Sequence, residues 1–176
     1  MDIMLLRTFQ LQVARQCRYL LMSATEVNTA LKEEGTPERV FYALQNLLNA
    51  GANISKALWG QSGKLAQTRK PLRDSIDVAD DSPLQQVTMR NNFEHFDERL
   101  DRWWAESKNK NHCDMAIGQK DNFILGGDAI DMFRVFDPTT TNLTFWGQEF
   151  NLQALVTEVQ RILPKLEAEA NKPHWG

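Results

Sequence analysis

The chain has 176 residues, with 42% hydrophobic and 24% charged residues, which is enough apolar mass to bury a core. Its net charge of −3 and pI near 5.6 exclude a generic DNA coat, and two cysteines and three histidines exclude a disulfide framework or a Cys- or His-rich metal cluster. Mean hydropathy is −0.46 and no apolar run approaches the roughly 20 residues a membrane span needs, so no membrane partner is expected. Met1-Asp2-Ile3-Met4-Leu5-Leu6-Arg7-Thr8 lacks the basic and apolar regions of a signal peptide, which predicts a cytoplasmic location.

The first predicted helix covers Ile3 to Lys32. Leu6, Phe9, Val13, Cys17, Leu20, Ala24, Val27 and Leu31 recur at three- and four-residue steps and make one apolar stripe. Gly35 ends it. Thr36 then offers an N-cap and Pro37 a first helical residue. The second helix runs from Pro37 to Trp59 on a stripe of Val40, Leu44, Leu47, Gly51, Ile54 and Leu58. Gly51 on that stripe points to close approach by a neighbouring helix. Asn46, Asn49 and Asn53 share another face, either as a solvated flank or as polar contact with a partner or site.

Residues 60–82 break the pattern through Gly60, Gly63 and Pro71, and read as a loop. Lys64, Arg69, Lys70 and Arg73 stand there with no acid between Gly60 and Arg73, followed by Asp74, Asp77, Asp80 and Asp81. Such a run is either solvated surface or a substrate-binding patch for an RNA backbone. A third helix is expected from Ser82-Pro83 to Lys108, burying Met89, Phe93, Phe96, Leu100 and Trp103. Trp104 is expected under the C-terminal part of the chain, with interface or base stacking as its other uses.

After Asn109 the period shortens. Met132 to Phe136 and Leu143 to Trp146 read as strands around an Asp137–Asn142 turn, with two shorter ones at Asp114–Ile117 and Asn122–Leu125. Gly126-Gly127-Asp128 is a turn signal. Asn151 caps a last helix to about Glu169, with Pro164 late in it. The expected architecture is a single, mainly α domain: a helical bundle over 1–108, extended over 112–170 by a small β-hairpin or short antiparallel sheet and a final helix.

No phosphate loop of the Walker type, Gly-x-Gly-x-x-Gly or Gly-x-Ser-x-Gly elbow is present. His112-Cys113 lacks zinc spacing, and His95 with Glu98 is too sparse for a metal. The informative segment is Met89-Arg90-Asn91-Asn92-Phe93-Glu94-His95-Phe96-Asp97-Glu98-Arg99. On a helix turning about 100° per residue, Asn91 and His95 share a face, and His95 lies about 140° from Arg90. All three avoid the Met89/Phe93/Phe96 stripe. Two such faces in a symmetric dimer would build a cleft lined by two Arg and two His. His titrates near neutrality and can move a proton at a ribose 2′-hydroxyl or a leaving oxygen. Arg holds developing phosphorane charge through its planar fork. The bland alternative is a solvated charged face with ion pairs such as Arg90–Glu94.

Arg90-Asn91-Asn92-Phe93-Glu94-His95 resembles the Arg-x4-6-His signature of the HEPN superfamily, including the polar residue after the Arg. Phe41 to Gln45, Asn53 to Trp59, Ser82-Pro83-Leu84 and Phe96 to Leu100 resemble the surroundings of that motif in bacterial members. The resemblance spans about residues 1–107. It implies an up-down helical bundle that dimerises through the motif helix, and a metal-independent endoribonuclease without cofactor, in a toxin–antitoxin, phage-defence or RNA-processing context. Arg90 would then stabilise the transition state, His95 would be the acid/base and Asn91 the accessory polar residue. RNA and an antitoxin or regulatory protein are the implied partners. Asp97 stands where some members carry a Tyr that is modified. Other members have lost catalysis, so a non-catalytic binding or regulatory module is the alternative, and an unrelated helical protein a third. Free Arg90 side chains beside a groove favour the nuclease; Arg90 tied to Glu94 or Asp97 favours the others.

Overall fold

The computed structural model describes residues 1–33, 35–85, 87–119, 122–123 and 128–173. Six helices and four strands follow in order: α1 (Ile3–Lys32), α2 (Pro37–Trp59), α3 (Ala66–Ser75), α4 (Met89–Glu94), α5 (Phe96–Glu106), β1 (Ala116–Ile117), β2 (Val135–Asp137), β3 (Asn142–Phe145), β4 (Gln148–Asn151) and α6 (Leu152–Ala170).

The long helices form where the apolar period and the caps agree. Asp2 accepts the backbone N–H of Leu5 to start α1, and Asn151 accepts that of Ala154 to start α6. Pro37 opens α2 after Thr36, whose side chain makes no cap bond to the backbone. α1 packs on both α2 and α6, so the C-terminal helix shares the main core. Leu20, Leu44, Leu48, Ile54, Leu155 and Val159 are fully buried there. A Cβ on Gly51 would lie 3.0 Å from Leu155 Cδ2 and 3.3 Å from Val87 Cγ1. The close approach at Gly51 is therefore made by side chains of α6 and of the segment before α4. Cys17 sits in this core with no exposure, and burial pushes its thiol up to about 12.

Several expectations are corrected. The 60–82 stretch contains α3, a helix that buries only Leu72 and Arg73. With Pro71 inside and so little apolar surface, it leaves no stripe in the sequence. The expected single helix over 82–108 is two helices. Residues 82–85 and 87–88 are not helical, and His95 (φ −101°, ψ 41°) separates α4 from α5. Met89 and Phe93 are buried as expected, but beyond the break Phe96 and Leu100 are exposed. The hairpin is a four-stranded mixed sheet of order β1-β2-β3-β4. β1 runs parallel to β2, and the other two pairs are antiparallel. β4 follows β3 through Trp146 (φ 51°) and Gly147 (φ 74°), a two-residue turn with both φ values positive. Asn122 and Phe123 are not in a strand, and residues 124–127, with the Gly126-Gly127 turn, lie outside the described residues, as does His174.

Trp103 joins the sheet to α5. It packs against His112 and Phe133, and Phe133 meets Phe145 and Trp146. The Trp103 indole N–H donates to buried Asp131 (3.0 Å), which also accepts from Ser107 Oγ (2.5 Å). Trp104 is not under the sheet: it is 65% exposed, with Lys110 Nζ 4.9 Å from its ring. No described helix is long and apolar enough to cross a membrane.

Candidate functional site

Arg90 and Asn91 lie in the first turn of α4, and both line a cavity of about 360 Å³. The rest of its wall comes from the C-terminal end of α2, the turn that follows it and the segment before α4. Lys56, Trp59, Gln61 and Ser62 contribute, and no Asp or Glu is among its described lining residues. The turn is fixed by backbone chemistry. Gly60 holds φ +79°, and a Cβ there would fall 2.6 Å from Leu65 Cβ, so only glycine fits. Its N–H donates to the Lys56 carbonyl, and the Leu65 N–H donates to the Trp59 carbonyl. Ser62 is also left-handed (φ 53°). The turn therefore folds tightly back on α2 and sets Gln61 and Ser62 opposite α4.

The wall is rich in donors. Five buried side-chain nitrogens lack an acceptor among the described residues, and two of them, Trp59 Nε1 and Arg90 Nε, belong to residues lining this one cavity. Leaving such a donor unpaired costs about 1–3 kcal/mol, so clustering two at one site calls for an explanation. The rest of the Arg90 guanidinium is engaged. Nη1 donates to Glu94 across one helical turn, and Nη2 donates to Asn91 Oδ1 at 3.2 Å.

His95 is placed elsewhere. It caps α5, with its carbonyl accepting the Arg99 N–H (3.1 Å), while its own N–H donates to the Asn91 carbonyl (3.0 Å). Its half-exposed ring has Nδ1 3.5 Å from Glu98 Oε1 and does not line the cavity. Within one chain, Arg90 and Asn91 share a site and His95 stands beyond the helix break. The angle expected from a continuous helix does not apply.

The basic stretch does not form one patch. Arg73 is 2% exposed and donates to the Leu58 (2.8 Å) and Ala66 (2.7 Å) carbonyls and to Asp80 (2.9 Å). Lys70 pairs with Asp74, and Arg69 stacks on the Phe9 ring at 3.8 Å. Lys64 is exposed. Of the α1 arginines, Arg7 is buried against Gln10 and Glu169, and Arg18 pairs with Glu167. Lys56 and Arg90 line the same cavity, and sequence reasoning missed Lys56. The available signal was Trp59-Gly60-Gln61-Ser62-Gly63, a glycine-bracketed turn directly after a helix. The three aligned asparagines border a second, open groove with Tyr19 and Tyr42, and Asn53 Nδ2 donates to Gln16 across it (3.3 Å). Among the described residues no group of three or more His, Cys, Asp or Glu could hold a metal.

Comparison with protein-family models, curated proteins and solved structures gives no match to this chain.

Proposed function

We propose that this chain is a metal-independent endoribonuclease of the HEPN type, working as a homodimer. The observation that carries the reading is the placement of Arg90 and Asn91 on a donor-rich wall with no Asp or Glu among its described lining residues, with exposed His95 five residues further on. In this mechanism His95 removes the 2′-hydroxyl proton and the 2′-oxygen attacks phosphorus. The leaving 5′-oxygen takes a proton from the His95 of the second copy, and Arg90 holds the charge that develops on phosphorus. The product is a 2′,3′-cyclic phosphate.

The Arg90–Glu94 pair favours a second reading, a non-catalytic HEPN-like binding or regulatory module. Its magnitude keeps that reading second. A pair one turn apart on a helix contributes about 0.3–0.5 kcal/mol, whereas hydrogen bonds from guanidinium to phosphate contribute about 1.5–3 kcal/mol each. Glu94 therefore yields to a phosphate at small cost.

The test is cleavage of a panel of structured RNAs in EDTA by wild type, Arg90→Ala and His95→Ala. Cleavage that leaves cyclic phosphate and drops at least about 100-fold in either variant supports the nuclease. A folded wild type that binds RNA without cutting it selects the binding module.

A further inference from the structure

We propose that the cavity between the end of α2 and the start of α4 is a binding site for a nucleotide phosphate, held by Lys56 and Arg90, with the Trp59 indole N–H donating to one of its acceptors. The inference takes its ligand class from the RNA reading above and does not depend on catalysis. It goes beyond the Arg90/Asn91/His95 set because it adds a wall on another helix.

Three observations carry it. The first is charge: the described wall holds Lys56 and Arg90 and no carboxylate, and Glu94, off the wall, offsets only Arg90, which leaves the charge of Lys56 in excess in a protein whose net charge is −3. A local excess of cations in an acidic protein concentrates an anion at that place. The second is the pair of unsatisfied donors. Trp59 is 1% exposed and its indole N–H has no acceptor among the described residues; Arg90 Nε is buried in the same condition. Indole nitrogen is donor only and guanidinium has no acceptor, so each can be satisfied only by an acceptor. Phosphate oxygens supply several acceptors and a charge together. The third is shape. At about 360 Å³ the cavity lies at the small end of ligand-binding clefts, which suits one nucleotide unit and not an extended duplex. The turn at Gly60 and Ser62, both with positive φ, forms one side of it.

A backbone phosphate of single-stranded RNA and the phosphate of a free mononucleotide share this chemistry. The experiment separates them. Anisotropy of a fluorescein-labelled 2′-O-methyl hexanucleotide, which cannot be cleaved through a 2′-hydroxyl, is followed for the full-length protein at two salt concentrations, with adenosine monophosphate and inorganic phosphate as competitors. Lys56→Gln is expected to weaken binding about 10-fold and to lower the salt dependence by about one phosphate contact. Trp59→Phe keeps a ring in the core and removes only the donor; about 5-fold weaker binding is expected. Competition by adenosine monophosphate at micromolar concentration identifies a free nucleotide as ligand, and tight binding of the oligonucleotide alone identifies the RNA backbone.

The proposal is overturned if neither probe binds, or if Lys56→Gln, with wild-type thermal stability, binds within twofold of wild type. Lys56 is exposed, so this arm does not depend on whether Trp59→Phe folds. Binding that is sensitive to Lys56 without any cleavage of ordinary RNA ends the nuclease reading and leaves the phosphate site standing.

Discussion

Replacing Arg73 is expected to damage the fold far more than any RNA interaction. Its guanidinium is 2% exposed and joins three segments: the end of α2 through the Leu58 carbonyl, the start of α3 through Ala66, and the following loop through Asp80. Asp80 is largely solvated, so the ion pair itself contributes little. The carbonyls decide the magnitude. Arg73→Ala leaves two acceptors without their donor in a space that water enters poorly, at about 1–3 kcal/mol each, and opens a void beside the Trp59 ring, whose face the Arg73 Cζ approaches to 5.3 Å. The two carbonyls span about 2–6 kcal/mol, and because the Ala66 bond is only part-buried the total with the void lies near the middle of that range, about 3–5 kcal/mol. At about 2–4 °C per kcal/mol for a chain of this size, Tm should fall by roughly 6–20 °C. Arg73→Lys keeps the charge but cannot span three acceptors with one ammonium, and should recover less than half of the loss. Lys64→Ala and Lys70→Ala, both exposed, should stay within about 0.5 kcal/mol of wild type. Circular dichroism at 222 nm during a thermal ramp reads all four. An Arg73→Ala Tm within 2 °C of wild type would refute the structural role and return Arg73 to the pool of RNA-binding candidates.

Gly51→Ala should change stability by less than about 1 kcal/mol, because the gain in helix propensity offsets contacts at 3.0 and 3.3 Å; Gly51→Leu should cost several times more, measured by urea denaturation. Burial raises the Asp114 carboxyl, yet the Arg134 pair and two backbone N–H bonds outweigh it and hold it below the ordinary range. Glu158 is likewise held low by Arg161 and Ser82. A depressed carboxyl stabilises the fold above its unfolded pKa, about 4 for both groups, and loses that contribution as pH falls through the folded value. Urea midpoints should therefore drop between pH 5 and pH 3, and Asp114→Asn should show a lower midpoint at pH 7 with a shallower acid slope. Cys17, buried and pushed up to about 12, should resist a thiol-reactive disulfide reagent at pH 8 until the protein is unfolded. Rapid labelling of Cys17 in native buffer would mean that the α1 core opens easily.

The long helices were legible because their evidence is redundant. The α2 stripe, Thr36-Pro37 and the helix-stopping Gly60 all specify the same 23 residues. Legibility fails where structure depends on contacts distant in sequence. α3 has an apolar face one residue deep and is held by Arg73 and by Arg69 on Phe9, neither of which leaves a period. β4 follows a Trp-Gly turn with left-handed φ at Trp146, a residue that carries no turn signal. Phe96 and Leu100 continue the α4 stripe in sequence, but His95 rotates the chain and leaves them exposed. The site shows the same division. Arg90, Asn91 and His95 could be named from their spacing. Lys56 and Trp59 reach Arg90 only through the packing of α2 on α4.

The helix break also changes how the motif must be understood. In a continuous helix the relation of Arg90 to His95 would be rigid. At His95 the chain leaves helical geometry, and one residue both closes α4 and opens α5. Arg90 is anchored to the core through its own helix, where Met89 and Phe93 are buried, whereas α5 holds no fully buried residue. On the nuclease reading proposed above, the firm half of the motif is the half that would bind, and the loosely packed half would carry the proton-transfer group. A small rotation about residue 95 would reposition the imidazole without disturbing the phosphate cavity. Loosening α5 by Trp103→Phe, which removes the indole N–H bond to Asp131, should therefore reduce cleavage while leaving affinity for the uncleavable oligonucleotide unchanged. Parallel losses of both would show that binding and proton transfer are held by a single rigid unit.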